Sequence, residues 1–152
     1  MRRVLVFHFE RGILWGEEAL VLTFGPISVL PGYQRQGIGK MLLEYSLRKA
    51  GEMGYQAVII FGNPANYMGR GFKSCKKYNV CAADGSYPSA MLVKELAEGL
   101  LDGRKWFYQE SPVFEFEGSE AEKFEETFEP MEKGFSPSQE EFYIHSHSVI
   151  KG

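Results

Sequence analysis

The chain has 152 residues, 44% of them apolar and 14% aromatic, and a net charge of −3. That balance fits one folded domain over residues 1–152 with a sizeable core, and excludes a disordered polymer. The mildly acidic charge argues against nucleic acid as a bulk partner, and no apolar run approaches the roughly 20 residues of a membrane span. Arg2 and Arg3 precede Val4-Leu5-Val6-Phe7, but His8 and Glu10 cut that segment short of a signal peptide. The expectation is a cytoplasmic protein with no nucleic-acid or membrane partner.

Residues 4–9 read as a short strand, Arg11-Gly12 as a turn, and Ile13, Leu14 and Trp15 as a second arm. Residues 19–24 return as a strand that runs into 22–30. There Leu22, Phe24, Ile27, Val29 and Leu30 form an apolar, partly β-branched run. Pro26 lies inside it; proline has no N–H for a ladder, so a bulge or an edge is expected there. Pro31 and Gly32 end the strand.

Gln34-Arg35-Gln36-Gly37-Ile38-Gly39-Lys40 comes next and opens a helix. Its glycines let the backbone turn tightly and let an anion come close to N–H groups. The first helical turn has free N–H donors and a partial positive charge, to which Arg35 and Lys40 add formal charge. Chemically this is a cradle for a phosphate or pyrophosphate. It is not a P-loop: aligning Gly39-Lys40 with that pattern puts Gln34 at the first glycine and Met41 at the hydroxyl position. Nor is it the dinucleotide fingerprint, whose third glycine would fall on Leu42.

A helix is predicted over 38–53, with Ile38, Met41, Leu42 and Tyr45 on the buried face, Leu43, Leu47 and Ala50 widening it, and Gly54 as its stop. Residues 55–61 form a continuous apolar strand of the kind buried on both faces. Asn63 caps a short helix opened by Pro64. Residues 75–87 are a mixed loop, 90–96 a strand, and 106–116 a strand interrupted by Pro112. Ser119–Glu122 and Ser136–Gln139 are capping-box patterns, so helices are predicted near 120–128 and 137–145, with Phe124 and Phe128 docking on the sheet. Cys75 and Cys81 read as plain thiols, and His145 with His147 do not fill a zinc site, so no metal is expected.

The full string from Val29, V-x-P-x-Y-Q-x-x-G-I-G-K, after a strand and before an amphipathic helix, resembles the coenzyme A loop of the GNAT N-acetyltransferase superfamily. A second match follows about 30 residues downstream, where Tyr67, Gly71 and Phe72 stand in the family's Y-x-x-x-G-F. The resemblance covers roughly residues 22–96. It implies a mixed-sheet α/β (α+β) protein of the GNAT acyl-CoA N-acyltransferase fold. Residues 22–96 would be the acetyl-CoA-binding core and 97–152 a C-terminal, helical extension.

The resemblance also implies roles. Strands 22–30 and 55–61 run parallel and splay near Val29. The backbone around Ile27 and Val29 pairs with the amides of the cofactor's pantetheine arm. Gln34, Arg35, Gln36, Gly37, Gly39 and Lys40 hold the pyrophosphate. Asn63 either bonds the cofactor or caps its helix, and Tyr67 protonates the departing thiolate. The implied activity is transfer of the acetyl group of acetyl-CoA to a small-molecule amine; the alternative is a catalytically silent coenzyme A-binding domain. Family members carry a strand, two helices and two strands ahead of the cofactor-side strand. Here about 20 residues precede Leu22, room for one hairpin at about 3.3 Å per strand residue. An N-terminally shortened fold is therefore expected. The C-terminal helices around Phe124 and Phe142, or a second copy in a homodimer, would then wall the acceptor side. No general base is assigned: His8, Glu10, Glu17 and Glu18 read as surface charge.

Overall fold

In the computed structural model, the residues described are 9–15, 19–25, 27–110, 118–130 and 134–151. Strands β1 (Phe9–Trp15) and β2 (Ala19–Phe24) form an antiparallel pair in register from Phe9↔Phe24 to Leu14↔Ala19. β1 runs straight through Arg11-Gly12, so the turn expected there does not form. Continuous pairing along β2 satisfies the backbone groups that a turn at Arg11 would have left to other partners. The strand expected over 4–9 lies, except for Phe9, outside the described residues.

Helix α1 (Ile38–Glu52) links β2 to a parallel neighbour, β3 (Ala57–Phe61). Gly37, at φ 78°, is its N-cap, and Gly54, at φ 88°, follows its end. Both are left-handed conformations that glycine adopts without steric cost. The buried face of α1 is Leu43, Ser46, Leu47 and Ala50. Met41 and Tyr45, expected inside, are exposed. Both sets follow the i, i+3, i+4, i+7 spacing; the one that packs carries two small residues and lets the helix sit close to the sheet. Burial of Ser46 is compatible because its hydroxyl donates to the Leu42 carbonyl at 2.8 Å.

The strand expected over 22–30 stops at Phe24. Pairing between β2 and β3 ends at Thr23↔Ile59, whereas β3 continues to Phe61 against β6. Residues 27–30 belong to no strand. The sequence supplies a reason, since Gly25 and then a proline without an N–H follow Phe24. The bulge expected at Pro26 is outside the described residues.

Four further strands complete the sheet: β4 (Lys73–Ser74), β5 (Val80–Cys81), β6 (Met91–Glu95) and β7 (Trp106–Gln109). The order is β4-β6-β3-β2-β1-β7-β5. β4 and β5 are opposite edges, yet Val80 is only six residues beyond Ser74. Six strand spacings in a flat sheet would separate the edges by about 29 Å. Six residues reach at most about 21 Å, and less here because a 3-10 turn spans Cys75–Tyr78. The sheet is therefore curled, with its edges drawn together. Phe61 of β3 and Tyr108 of β7 accordingly meet across the curl at 6.1 Å between ring centroids, with β2 and β1 lying between them in the sheet.

Strand alternation divides the core in two. Ala19, Val21, Ala57, Ile59, Met91, Val93, Trp106 and Tyr108 pack inside the curl with Cys75 and Val80. Leu22, Phe24, Val58, Ile60 and Leu92 face the other way, onto α1 and Phe72. β3 is buried from both sides, which accounts for its unbroken apolar sequence.

Beyond the sheet, α3 (Gly118–Glu125) and α4 (Pro137–Ser146) bury no residue. Phe124 and Phe128, expected to dock on the sheet, are exposed and pack edge to face on each other at 5.2 Å. Phe124 on the glutamate-rich α3 and Phe128 just beyond its end cover part of each other's apolar surface instead. The end of α4 is tied down at 87–89: Ser89 Oγ donates to the His145 carbonyl at 2.8 Å, and Ile150 N–H to the Tyr87 carbonyl at 2.8 Å.

Candidate functional site

The parting of β2 and β3 opens a cavity of about 250 Å³, lined by Thr23, Phe24, Gly25, Ile60, Phe61, Tyr67 and Glu110. Tyr67 reaches it from the last residue of α2 (Pro64–Tyr67), whose start is set by Asn63. The Asn63 side chain accepts from the Ala65 N–H at 3.0 Å, and its Nδ2 donates to Glu141 of α4 at 2.6 Å. Both polar ends of Asn63 are thus engaged within the protein, in the capping arrangement. The Tyr67 ring stands edge to face on buried Phe72, 5.7 Å away. It also lies over Gly62, where a Cβ would come within 2.7 Å of Tyr67 Cε2. Burial pushes the Tyr67 phenol above its ordinary value, with Arg70 pulling weakly the other way. It therefore holds its proton at neutral pH and can donate it.

The turn from Val29 to Lys40 lies beyond the end of β2. Gln34 Nε2 donates to the Val29 carbonyl at 2.9 Å, and Gln36 Nε2 to the Gly32 carbonyl at 3.2 Å. The two glutamine amides therefore brace the loop itself. Arg35 takes a left-handed backbone, φ 60°, which costs a non-glycine residue about 1 kcal/mol. The N–H groups of Ile38, Gly39 and Lys40 form the first turn of α1, have no intrahelical acceptor and receive no side-chain cap. A Cβ built on Gly37 or Gly32 meets nothing within 4 Å, and one on Gly39 meets only Val29 Cγ2 at 3.6 Å. The approach to these donors is open. Lys40 pairs with Glu44 at 3.7 Å with both side chains exposed. Such a pair holds the lysine only weakly.

Ile27 and Val29 are half-buried in the unpaired segment, and Ile27 packs against the α1-side core. Tyr67 and Phe24 line the gap together, whereas Ile27, Val29 and the loop 34–40 follow Phe24 in the chain and are not among the residues that line it. Asn63 is tied up beside it.

Sequence reasoning missed the floor of the site. Phe61 and Glu110 also border a second cavity of about 650 Å³, completed by Ala82, Ala83, Phe107, Tyr108 and Gln109. Tyr108 is buried and its hydroxyl shares a 2.5 Å hydrogen bond with Thr23 Oγ1. Burial raises its phenol from 10.0 to about 12. These residues meet only because the sheet curls. The one local signal was alternation along Trp106-Phe107-Tyr108-Gln109, which marks a half-buried strand without saying what it faces.

The mixed sheet, its parted parallel strands and the uncapped helix start are those of an acyl-CoA acyltransferase fold. The profile described as the acetyltransferase (GNAT) family matches residues 10–72, so this core is similar to that family. The uncharacterized N-acetyltransferase YhbS of Escherichia coli (strain K12) is 31% identical over 88 residues, 58% of this chain and 53% of YhbS. A second uncharacterized N-acetyltransferase of that strain, YjhQ, is 30% identical over 89 residues, 57% of this chain and 46% of YjhQ. The crystal structure of Escherichia coli YhbS in complex with CoA matches with a TM-score of 0.66 and 26% identity, covering 73% of this chain and 62% of that one. A GNAT family acetyltransferase from Brucella melitensis, in complex with acetyl-CoA, shares the fold at a TM-score of 0.54 and 20% identity, over 72% of this chain and 59% of that one. The chain spans about half the length of the curated relatives it matches. No helix among the described residues is long and apolar enough to cross a membrane.

Proposed function

We propose that this chain binds acetyl-CoA and transfers its acetyl group to the amine of a small molecule. The observation that carries the reading is the parting of β2 from β3 after Thr23, which opens a gap lined by Phe24 and Tyr67 shortly before the unpaired residues 27–30 and the open N–H groups at the start of α1. The complexes of the related structures with CoA and acetyl-CoA support it. The donors at 38–40 suit a pyrophosphate, and Arg35 lies in the same loop. Lys40 can exchange Glu44 for a phosphate at little cost, because exposed ion pairs contribute roughly 0–1 kcal/mol. Gln34 and Gln36 position the loop through Val29 and Gly32. The backbone of Ile27 and Val29 lies between that loop and the gap, so it suits an extended amide chain.

Acetyl-CoA supplies an activated acyl group and a thiolate leaving group. This chain's part is to hold the thioester at the mouth of the parted strands and to furnish a proton. Tyr67 is the donor in this reading, neutral at pH 7 and fixed by Gly62 and Phe72. The Tyr67→Phe substitution tests it. Thiol release should fall by about 10²–10⁴-fold, the usual contribution of a positioned acid, while acetyl-CoA affinity changes little. An unchanged rate rejects the acid role. Tight acetyl-CoA binding with no thiol release from a broad amine panel would favour the silent-domain reading.

A further inference from the structure

The solvent face of α1 carries a hollow of about 370 Å³ lined by Met41, Glu44, Tyr45 and Arg48. Met41 and Tyr45 are 60% and 52% exposed there. At about 100° per residue, Met41, Glu44, Arg48 and Gly51 fall within one arc of about 80°. That arc lies away from the buried Leu43, Ser46, Leu47 and Ala50. Its spacing of three, four and three residues is that of the seam between packed helix pairs. We propose that this seam is a self-association surface, on which two copies of the chain pair through antiparallel α1 helices about a two-fold axis level with Ser46.

Such an axis sets each residue opposite the one equally far beyond Ser46, and the contact is the same in both directions. Glu44 then faces the partner's Arg48, and Arg48 faces the partner's Glu44. Met41 faces the partner's Gly51. A Cβ on Gly51 meets nothing within 4 Å, so there is room above it for a flexible methionine. The two Tyr45 rings come side by side next to the axis. Charge thus meets opposite charge, and the long side chain meets the missing one. Other pairings lose this match: an axis level with Glu44 or with Arg48 sets that residue against its own copy, and parallel helices do both. Like charges in contact disfavour those arrangements. Within the chain, Glu44 pairs with Lys40 at 3.7 Å and Arg48 with Glu52 at 3.8 Å, all four side chains being exposed. Such pairs are weakly held and can be shared or exchanged across the seam. Arg48 also lies 5.4 Å from the centroid of the Tyr45 ring, which keeps the guanidinium over the hollow. Glu44, lining the same hollow, opposes an anionic ligand in it. One pair of helix faces is at the small end of interface sizes, so the dimer is weak, with a Kd of about 10 μM–1 mM. None of these residues is assigned to the cofactor, so the inference stands or falls apart from the acetyl-transfer reading.

Sedimentation equilibrium of the wild-type chain over about 10 μM to 1 mM tests the proposal. The mean mass should rise from monomer toward dimer, and less so at raised salt. Glu44→Arg sets cations opposite cations, and Arg48→Glu sets anions opposite anions. Each alone should weaken association about tenfold or more. An equal mixture of those two variants should recover a dimer, because every arginine then faces a glutamate of the other chain. Gly51→Leu should also weaken association about tenfold or more, while raising the melting temperature, since leucine is the better helix former and meets nothing within its own chain. Circular dichroism establishes that each variant is folded. A wild-type chain that stays monomeric to about 1 mM overturns the proposal. So does a dimer that Glu44→Arg or Gly51→Leu leaves unchanged, or a mixture of the two charge variants that stays monomeric.

Discussion

Gly62 and Tyr67 show how closely single residues set this site. A methyl group on Gly62 would sit 2.7 Å from the Tyr67 ring, so Gly62→Ala must displace that ring or the end of β3. We predict a fall in turnover approaching that of Tyr67→Phe, with acetyl-CoA affinity retained; equal turnover would mean that the ring's placement is unimportant. Thr23→Val should destabilise the fold by about 1–3 kcal/mol, because it strands the buried Tyr108 hydroxyl. Adding Tyr108→Phe should recover part of that loss in chemical denaturation. Burial also raises Cys75 from 9.0 to about 11 and Tyr108 from 10.0 to about 12. The folded chain thus keeps these protons after the unfolded chain has lost them. Their stabilising contribution is whole below about pH 9 and is lost as the pH rises to about 12. Melting temperatures should fall across that window, and Tyr108→Phe should flatten the part above pH 10. At this scale the sequence singled out Tyr67, whose ring lines the gap, through its spacing to Gly71-Phe72, and Asn63 as a cap. It could not reveal Glu110, whose neighbours Thr23 and Phe61 come from distant strands.

At the scale of elements, the strand-helix-strand unit around the loop was legible because each part has a local signal: two apolar runs, a glycine turn and a helical period. Its details depended on packing. α1 presents two apolar arcs, and only contact with the sheet selects the one containing Ser46 and Ala50. Leu47→Ala should therefore cost about 2–5 kcal/mol, while Tyr45→Ala on the exposed arc should change stability by much less. Comparable losses at both positions would refute the observed helix face. β2 was read six residues too long, since an apolar run continues beyond Phe24 although its pairing does not. That unpaired run is where the proposed cofactor path begins. The loop's own test is Gly37→Val: its φ of 78° strains any other side chain, and the turn should deform. Acetyl-CoA affinity should drop in calorimetry; unchanged affinity with the fold intact would put the anion site elsewhere.

Over the whole molecule, what the sequence left open was how the sheet ends. β7, from late in the chain, lies beside β1, and β5 closes the far edge; the curl they impose builds the second cavity. No local pattern encodes such a closure, because it follows from two edge strands joined by too short a link. The C-terminal helices were legible as helices from their capping boxes, but not as surface elements, because two phenylalanines one turn apart look alike whether they meet a sheet or each other. In the proposed reading the loop and the parted strands form one acetyl-CoA site. The most direct measurement is a calorimetric titration of the wild-type chain with acetyl-CoA, repeated at raised salt. Binding should be saturable and one-to-one, in the ordinary substrate range of about 1 μM to 1 mM. It should weaken with salt as the loop's charges are screened. No saturable heat up to millimolar acetyl-CoA, from a sample shown to be folded, would contradict it.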